Sequence, residues 1–104
     1  MNQIDSAGLE TLRRDGAVVL IDVRTDAEVA RGIIADAKHI PLNQLPARFA
    51  ELDPQAVTVV YCQSGGRSAQ ACMWLGEHGF ARAYNLQGGV GAWVREGLPL
   101  ATPG

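Results

Sequence analysis

Two short runs of β-branched and apolar residues, Val18-Val19-Leu20-Ile21 and Val57-Thr58-Val59-Val60-Tyr61, constrain the fold more than any other feature. Neither run alternates with polar residues, which is the pattern of a strand covered on both faces. Helical patterns lie between them. Parallel neighbours need a crossover long enough to hold a helix, so this succession reads as a parallel sheet. Ala83–Leu86 reads as a third, weaker strand. The expectation is an α/β fold: a small, mainly parallel sheet of three to about five strands with helices on both faces. At 104 residues the chain has room for one domain, taken as residues 1–104.

The helical segments carry their own boundary signals. Ser6 is expected to cap a helix reaching Arg14, with Gly16 as its stop. Thr25-Asp26-Ala27-Glu28 is a capping box for a short helix ending at Gly32. Leu42–Glu51 reads as one helix with Leu45, Phe49 and Leu52 on one side and Pro46 in its first turn. Arg67–His78 is the clearest helix: Ser68, Ala71, Cys72 and Leu75 share a face and Gly79 ends it. Gly89–Glu96 is expected to be the last helix, with Trp93 in the core and Trp74 partly exposed.

Composition narrows the function. Hydrophobic residues make up 47% and charged residues 19%, which excludes a disordered tail. The net charge is −2 with no Lys/Arg cluster, so nucleic acid is not an expected partner. The longest apolar stretch, Ala17–Ile21, is far short of the ~20 residues of a membrane span. The first residues have no basic start and no apolar run, so no signal peptide is read and a reducing, cytoplasmic setting is expected. Cys62, Cys72, His39 and His78 lack metal-ligand spacing; no metal and no cofactor are expected. Cys72 falls on the apolar helix face and reads as packing. His39 and His78 read as surface residues, and Arg24 with Glu28 as an ion pair fixing the second helix.

The informative segment is Cys62-Gln63-Ser64-Gly65-Gly66-Arg67-Ser68, which leaves the end of a buried strand and enters a helix. In open α/β sheets, ligands bind beyond the carboxyl ends of strands. The helix start offers free N–H groups and the positive end of its dipole. Gly65 and Gly66 let the backbone curl so that successive amides point inward as an anion-binding nest. Arg67 adds a positive charge, and Ser64 and Ser68 add hydroxyl donors. A free thiol with a pKa of about 8.5 is only about 3% ionised at pH 7, and every one of these features favours the thiolate. Cys62 is therefore the expected nucleophile, set in a cradle of anion-binding donors.

The same loop, with the Ala-containing helix and Gly79-Phe80 after it, resembles the active-site loop of single-domain rhodaneses. Leu20-Ile21-Asp22-Val23-Arg24, with Glu28 and Gly32, resembles the family's N-terminal signature. Asn85-Leu86-Gln87-Gly88-Gly89-Val90-Gly91-Ala92-Trp93, followed by Gly97-Leu98-Pro99, resembles its C-terminal one. The resemblance runs in order from about Ala17 to Pro99. It implies a thiosulfate:cyanide sulfurtransferase in which Cys62 takes a sulfane sulfur as a persulfide and passes it to cyanide, thioredoxin or another thiol. It further implies that the amides of Gln63 through Ser68 surround the outer sulfur, with Arg67 and the serines on the sulfonate end. The chain departs from the family at Ile33, where a histidine is usual, and at Asp36, where a glycine is usual. Asp tolerates positive φ better than most residues, so that turn is expected to survive.

Two other functions compete. A cysteine phosphatase or arsenate reductase also needs a cysteine, an amide nest and an arginine, but its signature resembles Cys-x₅-Arg. Here only four residues separate Cys62 from Arg67, a ring suited to a single sulfur atom. A non-catalytic rhodanese-like binding module often lacks the cysteine, which this chain retains.

Overall fold

The computed structural model describes residues 2–103. Five strands form one sheet in the order β1-β5-β4-β2-β3, with every pairing parallel: β1 Asn2–Ile4, β2 Val18–Asp22, β3 Lys38–His39, β4 Val57–Tyr61 and β5 Ala83–Leu86. Five α-helices alternate with them: α1 Ser6–Arg14, α2 Asp26–Val29, α3 Leu45–Arg48, α4 Gly66–Glu77 and α5 Gly89–Arg95. Among the described residues no helix is long and apolar enough to cross a membrane.

Consecutive strand residues feed opposite cores, as the period of two requires. Leu20, Val59, Tyr61 and Leu86 pack with Leu9, Val90 and Trp93 under α1 and α5. Ile21, Val60 and Ala83 pack with Leu45, Ala71, Cys72 and Leu75 under α3 and α4. Both faces of the central strands are thus covered, which is why β2 and β4 read as unbroken apolar runs. The buried positions of α4 are Ser68, Ala71, Cys72 and Leu75, the face its periodicity predicts.

Several local expectations need correction. The cap of α1 is Asp5, whose carboxylate accepts the Gly8 amide at 2.8 Å; Ser6 is the first helical residue and is buried. The capping box at Thr25 and Glu28 is present, but α2 stops at Val29. Beyond Ala30, the amides of Arg31 and Gly32 bond three residues back instead of four, so the chain tightens before the Gly32 turn. Leu42–Glu51 is not one helix. Pro46 has no N–H to bond back to Leu42, so a 3₁₀ turn at Leu42–Gln44 precedes α3, and a second, Phe49–Glu51, follows it.

The edge strands β1 and β3 are too short and too polar to carry an apolar strand signature. Asp36 adopts φ +69°, the left-handed turn expected of it. Ile33 is buried and exchanges two backbone hydrogen bonds with Ala101, an antiparallel bridge that fastens the C-terminal segment.

Candidate active site

The sheet register brings one row of polar side chains to its carboxyl edge. Asp22 stands opposite His39 and Tyr61, and Asn85 stands opposite Val60 and Gln3. Cys62 leaves β4 at this edge and is 1% exposed. Its Sγ accepts the Gly65 amide at 3.1 Å and the Ser68 amide at 3.4 Å, with the Ser68 hydroxyl also at 3.4 Å. Burial alone would raise the thiol's pKa. The Ser68 hydroxyl and the amides of Ser68, Gly65 and Ser64 outweigh it and hold Cys62 below the ordinary range. Ser68 Oγ also reaches Asn85 Oδ1 and has one proton to give, so the amides are the donors that never turn away from the sulfur.

Three loop carbonyls are held away from the sulfur. Val90 N–H donates to the Cys62 carbonyl at 2.9 Å and Gly91 N–H to the Gln63 carbonyl at 3.0 Å. These donors belong to the first turn of α5, which has no partners within its own helix. The Gly65 carbonyl accepts from Asn85 Nδ2 at 3.2 Å, and the same amide group donates to Gln3 Oε1 at 3.2 Å. Gly65 itself has φ +112°, open only to glycine without strain. Gln63, Ser64 and Gly66 are exposed on the outside of the loop.

Arg67 does not stand free. Its Nη1 and Nη2 meet the two carboxylate oxygens of Glu28 at 2.7 and 2.8 Å. Glu28 Oε1 also accepts the Thr25 amide and hydroxyl at 3.0 and 3.1 Å. Arg67 and these donors hold the Glu28 carboxyl down at about 2. The expected Arg24–Glu28 pair is therefore wrong in both partners. Arg24 lies at the strand end, 4% exposed, and grips the buried Asp22 carboxylate at 2.7–3.1 Å. Position, not spacing along the chain, decides the partners: Arg24 turns inward beside β2, while α2 presents Glu28 to the start of α4.

The remaining thiol is inert by environment. Cys72 is 3% exposed among apolar side chains, and burial pushes it up to about 12. His78 is exposed and stacked on Trp74. His39 is only partly at the surface: its Nε2 lies 2.7 Å from the Arg24 carbonyl, so that expectation is corrected.

Sequence reasoning missed Asn85 and the structural part played by Gly88-Gly89. The paired glycines at a strand-to-helix junction were the available signal. A Cβ on Gly89 would lie 2.4 Å from the Cys62 carbonyl oxygen, so only glycine lets α5 approach the loop closely enough to bond it.

Known proteins resemble this chain over nearly its whole length. Residues 6–96 match the rhodanese-like domain. A protein of Allochromatium vinosum named sulfurtransferase is 44% identical over 104 residues, spanning 99% of this chain and 97% of its own. The thiosulfate sulfurtransferase GlpE of Actinobacillus pleuropneumoniae is 35% identical over 94 residues, spanning 89% and 85%. The crystal structure of a rhodanese-like domain protein from Staphylococcus aureus superposes with a TM-score of 0.89 at 33% identity, covering all of both chains.

Proposed function

We propose that this chain, which belongs to the rhodanese-like domain family, is a thiosulfate sulfurtransferase with Cys62 as its sulfur carrier. The observation that carries the reading is the convergence of the Gly65 and Ser68 amides on Cys62 Sγ. Fixed donors aimed at one sulfur stabilise the thiolate before reaction and the anionic persulfide after it, with no reorganisation between.

In the first half-reaction, the Cys62 thiolate attacks the outer sulfur of thiosulfate. The new S–S bond forms as the old one breaks, and sulfite leaves with the electron pair. In the second, a thiophile attacks the outer sulfur of the persulfide and the Cys62 thiolate is the leaving group. Cyanide gives thiocyanate; a thiol, thioredoxin's included, gives up its proton and becomes the persulfide. The cycle is ping-pong and needs no general base once the thiol is ionised. The loop, from Gln63 to Ser68, binds the transferred sulfur through its amides. Arg67 faces the incoming sulfonate only to the extent that Glu28 releases it.

Intact mass after incubation with thiosulfate tests the proposal. A gain of about 32 Da on the native chain, absent in Cys62→Ser and removed by cyanide as thiocyanate appears, is the expected result. No adduct on the native chain would overturn it and favour the binding-module reading.

A further inference from the structure

The cation nearest the cysteine loop already holds a carboxylate. Glu28 meets Arg67 in a two-point clasp across 39 residues of sequence. It is no loose surface partner, because the Thr25 amide and hydroxyl fix one of its oxygens as part of the α2 capping box. The pair also divides the surface. Arg67 lines a largely apolar cavity of about 490 Å³ with Thr25 and Trp74, and Glu28 lines a second, of about 340 Å³, with Gln63 and Gly91. Any donor approaching the loop between these cavities meets a neutralised guanidinium and a fixed negative charge.

We propose that Glu28 is a positioning and specificity-determining residue: its carboxylate occupies Arg67 and biases the Cys62 site against doubly charged sulfur donors, in favour of neutral or singly charged ones such as organic persulfides. The proposal rests on the sulfur-transfer reading for its substrate classes. Its physical content, charge discrimination at Cys62, does not. A two-point guanidinium–carboxylate contact matches the geometry an oxyanion would otherwise use. A dianion must therefore displace Glu28 or bind beside it, against its field.

Glu28→Gln tests this, because glutamine serves in a capping box as glutamate does and α2 is kept. The readout is the rate of Cys62 alkylation by iodoacetate, an anion, divided by that by iodoacetamide, its neutral counterpart. Removing one negative charge near the thiolate should raise this ratio about three- to sixfold at low salt. The gain should shrink towards the native value at about 1 M salt, where the Debye length is about 3 Å. Asp26→Asn removes a charge from the same helix without touching the clasp and should move the ratio much less. The KM for thiosulfate should fall in Glu28→Gln with kcat little changed. An unchanged ratio, or an equal fall in both alkylation rates, would make Glu28 a strut only and overturn the proposal. If neither protein forms a persulfide with thiosulfate, the sulfurtransferase reading fails, while the alkylation ratio still decides the role of Glu28.

Discussion

The amide of Val90 donates to the carbonyl oxygen of Cys62 at 2.9 Å, and this bond ties the start of the cysteine loop to α5. Loop amides and carbonyls must point in roughly opposite directions. The Gln63 carbonyl, drawn to α5, shares its peptide unit with the Ser64 amide, which is thereby turned towards Sγ; the Gly65 and Ser68 amides reach it through the Gly65 turn and the start of α4. The turn from β5 to α5 is thus part of the site, although none of its side chains touches the sulfur.

Gly89→Ala should damage the site and the fold together. The new Cβ would lie 2.4 Å from the Cys62 carbonyl oxygen and 2.7 Å from the Gln63 carbonyl carbon, at a φ of +59°. The left-handed backbone costs about 1–2 kcal/mol for a residue with a Cβ. With the displacement of α5 from the loop, a total loss of about 2–4 kcal/mol in urea unfolding is expected. Cys62 alkylation should slow in the same variant. Gly79→Ala, with φ +95° and open space around it, should carry the backbone penalty alone and leave Cys62 reactivity unchanged. Equal losses in the two variants would show that the contact with the loop is immaterial.

The two cysteines should separate cleanly in a pH series. Cys62 is held below the ordinary thiol range against its burial by the Ser68, Gly65 and Ser64 donors, whereas burial takes Cys72 up to about 12. Iodoacetamide should therefore add once, at Cys62, with a rate-against-pH midpoint below that of a free thiol near 8.5. Ser68→Ala should raise the midpoint, yet leave it short of the free-thiol value because the amide donors remain. Peptide mapping after alkylation reads both. Modification of Cys72 in the folded chain at neutral pH would contradict the packing.

Legibility in the sequence followed the range of the interactions. β5, the buried face of α4 and the capping box at Thr25 could be read because each rests on residues a few positions apart. β1 and β3 could not: Asn2-Gln3-Ile4 and Lys38-His39 are three- and two-residue strands at the sheet edges, too short and polar to mark the side-chain pattern. The ion pairs failed for a related reason. Arg24 and Glu28 have helical spacing, but Arg24 precedes the helix, so the real partners are Asp22 and, across the fold, Arg67. The loop Cys62–Ser68 was visible as chemistry, while what holds its carbonyls, Asn85 and α5, became visible only in three dimensions.

Asp22 and Arg24 should behave as a unit. Asp22 is fully buried; its Oδ1 accepts the Arg24 amide at 2.8 Å, and Arg24 Nη2 reaches on to the Gly32 carbonyl at 2.7 Å. The pair thereby ties the end of β2 to the turn after α2, and so sets where Glu28 stands. Asp22→Ala leaves a guanidinium buried without its charge partner, expected to cost about 3–5 kcal/mol. The double variant Asp22→Ala/Arg24→Ala should lose clearly less than the sum of the singles in urea unfolding. Additive losses would mean that the two side chains act separately.

Acid should weaken the fold through Glu28. Arg67, with Thr25, lowers the Glu28 carboxyl from about 4.5 to about 2, so the folded state holds its proton less tightly than the unfolded chain does. A depressed carboxyl contributes stability that is present above the unfolded value and lost as pH falls through the folded one. The window is therefore about 4.5 down to about 2. Glu51, lowered to about 2 beside Arg48 and Lys38, adds an exposed and salt-screened contribution in the same window. Glu28→Gln has no carboxyl to titrate at this position. Its urea midpoint should lie below the native one at pH 6, and should fall less than the native midpoint between pH 6 and pH 3. The gap between the two proteins should also narrow with added salt, since the clasp is only partly shielded from solvent. Parallel midpoints at the two pH values would show that the Glu28–Arg67 contact contributes nothing to folding, and would leave its charge at the mouth of the loop as its sole effect.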